Sequence, residues 1–91
     1  MNIVDIGGAY FARTEPADWI CRHTRLAPSG RLLGRIYEVP EHTYRVVLFR
    51  RVSGEPDWKG EWWREAAPPV IAATLDEAAA ILADYLAFER R

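Results

Sequence analysis

The chain is poor in the residues that build covalent or metal-centred chemistry. Cys21 is its only cysteine, so no internal disulfide can form. With His23 and His42 as the only histidines, a zinc site falls short without a carboxylate, and no familiar ligand spacing is present. No metal and no cofactor are therefore expected. No apolar run approaches the length of a membrane span. The opening stretch, MNIVDIGGAYFARTE, lacks a basic n-region and carries Asp5 early. That excludes a standard export signal and leads to the expectation of a cytoplasmic protein without a membrane partner. Gly7-Gly8 lacks the further glycines of a dinucleotide fingerprint and reads as a turn.

Lysine is also scarce. One lysine stands against eleven arginines, and the net charge is −1. Guanidinium groups favour planar, bidentate contact with phosphate or carboxylate. An arginine-rich genome is the simpler source of the same bias. The charge is unevenly spread. Residues 22–64 hold nine basic and five acidic groups, a net of +4, whereas residues 65–91 have a net of −3. The middle of the chain is basic and its C-terminal part acidic.

Ninety-one residues imply one domain, 1–91. The clearest element is C-terminal. Thr74 and Glu77 fit a capping box, and Asp76 and Glu77 suit the positive end of a helix. From Leu75, apolar residues recur through Ala78, Ile81, Leu82, Tyr85, Leu86 and Phe88 at helical period. This spacing predicts a helix over about 75–90. TYRVVLFRRV (43–52) and RLLGRIYEV (31–39) read as strands, with WICRHTRL (19–26) and EWWRE (61–65) as further candidates. Ala27-Pro28-Ser29-Gly30 and Pro40-Glu41-His42 supply the turns between them. The expected fold is α+β: an antiparallel sheet of three to five strands with the C-terminal helix packed on one face.

That fold leaves one sheet face unexplained. Arg35, Tyr37, Arg45, Val47, Phe49 and Arg51 fall on alternating positions, and Trp62 and Trp63 must point to opposite faces. One tryptophan is expected in the helix-covered core and the other on the second face. Three covers compete for that face. The N-terminal segment with Tyr10 and Phe11 folds across it, a second copy of the chain pairs with it, or it stays open to a partner. Trp, Tyr and Arg are the residues enriched at binding hot spots. The candidate binding set is therefore Arg35, Tyr37, Arg45, Val47, Phe49, Arg51, Trp58 and Trp63.

Catalytic readings are weak. Cys21 and His23 share a face in a regular strand, as a nucleophile and base would, but no third group is evident to orient them. Glu55, Asp57, Glu61 and Glu65 offer paired carboxylates, but a chain this short gives little depth for a cleft. The leading expectation is a small non-catalytic interaction module that meets a protein partner or a second copy of itself. Accessory proteins of mobile elements have this size and this lack of motifs. The runner-up is a nucleic-acid-binding domain, in which basic groups neutralise phosphates and aromatic rings stack on bases. A three-stranded sheet backed by one helix resembles, in layout alone, the sheet-reading DNA-binding domains of integrase arms. A small-molecule pocket near Trp58 is the third reading.

Overall fold

Strand-forming segments dominate the chain, and they do more than pair with their sequence neighbours. In a computed structural model, which describes residues 3–53 and 60–88, seven strands precede one helix. They are β1 (Ile3–Ile6), β2 (Ala9–Ala12), β3 (Ile20–Leu26), β4 (Leu32–Glu38), β5 (Tyr44–Ser53), β6 (Glu61–Glu65) and β7 (Val70–Ala72), with α1 (Leu75–Phe88). The order across the sheet is β1-β2-β6-β5-β4-β3, with β7 on β5.

The α+β arrangement is as expected, but the sheet is larger and of another kind. It is a mixed sheet curled into a half-barrel, not an antiparallel sheet of three to five strands. Two features were not legible. First, β1 and β2 form a four-residue-per-strand hairpin, too short for a clear alternation signal. Gly7 and Gly8 make its two-residue turn at φ 59° and 86°, a left-handed pair that matches the twist of the flanking strands. β2 then joins β6 in parallel, Tyr10 beside Trp62. Such a pairing is non-local and leaves no mark in the intervening sequence. Second, β6 and β7 share one edge of β5. Residues 49–53 pair with β6 and residues 44–46 with β7. Between them Ala66 N–H still donates to Leu48 O at 2.8 Å. Pro68 and Pro69 have no N–H to continue the ladder and split the edge in two.

The helix begins where its cap was expected. Glu77 N–H donates to Thr74 Oγ1 at 3.1 Å, and Ala73 N–H donates to the Glu77 carboxylate at 3.2 Å. Ala78, Leu82 and Leu86 face the sheet and are buried with Ile36, Val46, Ala27 and Ala72. Leu75 and Tyr85, expected in the apolar stripe, are substantially exposed. The stripe is narrower because α1 lies mainly over β4, β5 and β7. Gly34 of β4 lies directly beneath Leu82. A methyl group at Gly34 would come within 2.0 Å of Leu82 Cδ1.

The second sheet face is also a core. It buries Ala9, Phe11, Leu33, Tyr37, Val47, Phe49 and Trp63, with Ile6, Trp19 and Cys21 at its margin. Curvature makes this possible. Phe11 and Phe49 lie on strands separated by β6, so a flat sheet would hold them about 9–10 Å apart. Their ring centroids are 5.0 Å apart, edge to face. Arg35 is one strand further still, yet its guanidinium carbon stands 4.6 Å from the Phe11 ring centre. The sheet wraps its own inner face.

Candidate functional site

The predicted binding residues do share a face. Cross-strand register sets Arg35 opposite Val47, Tyr37 opposite Arg45, Arg51 opposite Trp63 and Leu33 opposite Phe49. Opposed residues in an antiparallel pair point the same way. That face is the inside of the half-barrel. Tyr37, Val47, Phe49 and Trp63 are buried there by the chain's own residues. Their arginines serve the interior. Arg35 lies over Phe11 and over Tyr37, the latter at 5.3 Å. Arg51 lies 5.2 Å from the Trp63 ring centre, pairs with Glu61 at 3.1 Å and donates to Gly7 O. Arg45 donates locally to Thr43 Oγ1 at 2.9 Å and Tyr44 O at 3.2 Å. Trp58 lies outside the described residues, as do Glu55 and Asp57.

The N-terminal segment does reach the second face, but only partly as expected. Phe11 enters it, whereas Tyr10 points the other way. The link from β2 to β3 crosses the open side of the half-barrel. Arg13 sits over the Tyr37 ring at 5.5 Å, and Trp19 packs beside it with ring centroids 6.0 Å apart. Tyr37 OH donates to Glu15 Oε2 at 3.2 Å. Burial pushes the Tyr37 hydroxyl well above its ordinary range; Arg35 partly opposes this, and the Glu15 carboxylate adds to it. A phenol held in its neutral form is a structural hydrogen-bond donor here.

The Cys21–His23 pair does not survive the fold. β3 is bulged between them: Cys21 stands opposite Tyr37, but His23 stands opposite Ile36. Tyr37 and Ile36 face opposite sides of β4, so thiol and imidazole do too. Cys21 Sγ instead lies 3.4 Å from Thr24 Oγ1. Among the described residues no group of three or more His, Cys, Asp or Glu side chains is placed to hold a metal ion. No helix among them is long and apolar enough to cross a membrane.

Neither Trp62 nor Trp63 belongs to the helix-covered core, contrary to expectation. Trp63 is 6% exposed, inside the half-barrel, where its Nε1–H donates to Ile6 O at 2.9 Å. Trp62 is on the helix's side of the sheet but in the half that the helix does not cover. There it packs on Tyr10, with ring centroids 5.2 Å apart and planes tilted by 45°. Val52 is opposite Trp62, and one step along the same face Arg50 is opposite Arg64. Both arginines are exposed. Neither guanidinium has a hydrogen bond or ion pair among the described residues. Tyr10 is 41% exposed. The helix-free outer half of the sheet thus carries a ring pair next to a cation pair.

Arg35, Tyr37, Arg45, Val47, Phe49, Arg51 and Trp63 lie on the inner face, and Arg50, Trp62 and Arg64 on the outer one. The available signal was adjacency: Trp62-Trp63 and Arg50-Arg51 each send one member to each face. Knowing which member required the register.

The fold defines an α+β domain with a curled mixed sheet and one helix that covers part of its outer face. No family model, curated protein or solved structure compared with the chain matches it.

Proposed function

We propose that this chain is a small non-catalytic interaction module that meets its partner on the helix-free outer half of its sheet. The observation that carries this reading is the directly opposed Arg50–Arg64 pair beside the Tyr10–Trp62 rings. Like charges directly opposite each other across a sheet are destabilising. Packing does not require them, and partly exposed rings next to guanidinium groups that have no ion-pair partner among the described residues match the composition of binding hot spots. The inner face supports the module indirectly. With Tyr37, Phe49 and Trp63 buried, it gives the outer face a rigid base. The lone Cys21 fits action in the cytoplasm, where thiols stay reduced.

Site-specific photo-crosslinking in extracts of the source cells tests this. A photoreactive residue at Arg64 is compared with one at Ile71, which is 65% exposed and lies outside the patch. Discrete adducts formed at position 64 and not at 71 are expected. A folded protein that gives no adduct at 64 above the level at 71 overturns the reading.

A further inference from the structure

We propose that the Arg50–Arg64 pair and the Tyr10–Trp62 rings form a binding site for a short stretch of single-stranded nucleic acid. This rests on the interaction-module reading above and names the partner class.

Three observations converge. Arg50 and Arg64 are directly opposed on neighbouring strands, which places their Cβ atoms about 4.5–5.5 Å apart. Neither has an acidic partner among the described residues. A phosphate between two guanidinium forks accepts charge-assisted hydrogen bonds from both and turns a repulsive pair into a clamp. Two residues further along each strand stand Val52 and Trp62, about 6.5–7 Å away. Trp62 meets Tyr10 in the next strand. The rings therefore lie one strand-step from the clamp, on the same face. A base attached near a clamped phosphate reaches an aromatic surface there. Stacking needs a base that is not already enclosed in a duplex, which selects single strands. An acidic peptide would satisfy the arginines but need not offer a flat π surface to the rings.

One feature opposes binding. Asp5 is opposite Tyr10 on β1 and therefore on the same face. Its carboxylate accepts the Gly8 N–H at 3.0 Å. It limits affinity, and it supplies a test of opposite sign. Asp5→Asn keeps an acceptor for Gly8 and removes the charge, so it should tighten binding.

The test is fluorescence anisotropy with labelled ten-nucleotide oligo-dT and oligo-U. One clamped phosphate gives a salt slope near −0.7, or about a threefold loss of affinity between 50 and 200 mM salt. Removing either ring, by Tyr10→Ala or Trp62→Ala, should weaken binding about five- to hundredfold. Arg50→Ala and Arg64→Ala should weaken it and flatten the salt slope. These two variants should fold at least as stably as the parent, because each relieves the repulsion across the strands. Arg25→Ala, an exposed arginine on β3, should change binding little. Absence of salt-sensitive binding by the folded protein at 50 mM salt overturns the proposal. So does an equal loss in Arg25→Ala, which would mean diffuse attraction. Protein adducts at position 64 combined with failure of the titration would sink this proposal and leave the module reading intact.

Discussion

Gly34→Ala tests how the helix sits on the sheet. The added methyl would stand 2.0 Å from Leu82 Cδ1, with Cγ and Cδ2 at 3.1 and 3.2 Å. Non-bonded carbons prefer about 3.5–4.0 Å, so more than an ångström must be recovered. Leu82 is fully buried, in one cluster with Ala78, Leu86, Ile36 and Val46. It must leave its rotamer, or the helix must lift. Overpacking of this kind costs about 1–3 kcal/mol. Replacing a strand glycine returns about 0.5–1 kcal/mol through the unfolded chain. The net expectation is a loss of about 1 kcal/mol, which lowers Tm by about 4–8 °C in a domain of this size. Thermal and urea unfolding followed by circular dichroism measure it. The decisive arm places Gly34→Ala in a Leu82→Ala background. Leu82→Ala alone should cost about 2–5 kcal/mol. It also vacates the space the methyl needs, so Gly34→Ala should then be neutral or stabilising. A coupling of at least about 1 kcal/mol follows. An undiminished Tm in the single variant, or the same loss in both backgrounds, would refute the placement of Leu82 on Gly34.

The two adjacent tryptophans should differ sharply in stability. Trp63→Ala empties the inner core and abandons a hydrogen bond to Ile6 O, for about 3–5 kcal/mol. Trp62→Ala should cost at least about 2 kcal/mol less by urea unfolding, since its ring is only partly buried; equal losses would put Trp63 on the wrong face. Tyr37 predicts an alkaline dependence. Its folded-state pKa is raised above the unfolded value, so its contribution is complete below about pH 10 and is lost as pH rises beyond that. Chemical denaturation between pH 9 and 11.5 should show a decline that Tyr37→Phe reduces, and an unchanged slope in that variant would count against a buried, neutral phenol.

The candidate patch was only half legible. Trp62 and Arg50 stood out by type, but their neighbours across the sheet did not. Tyr10 and Trp62 are more than fifty positions apart in the chain and touch only because β2 adds to β6 in parallel. The Cys21–His23 pairing failed for a related reason. Alternation assumes a regular strand, and a single bulge at Arg22 reverses every side chain beyond it.

Local physics was decided by sequence alone. The capping box at Thr74, the turns at Ala27–Gly30 and Pro40–His42, and the four longer strands depend on neighbours within a few residues, where propensity, capping and period act. Only the tertiary structure decided the sheet's size, its curl and its two cores. Those depend on strand order and register, which come from long-range pairing of short segments with little local signal. Curvature then turned the face rich in Arg, Tyr and Trp inward, and left Trp62 on the outside with Tyr10, Arg50 and Arg64.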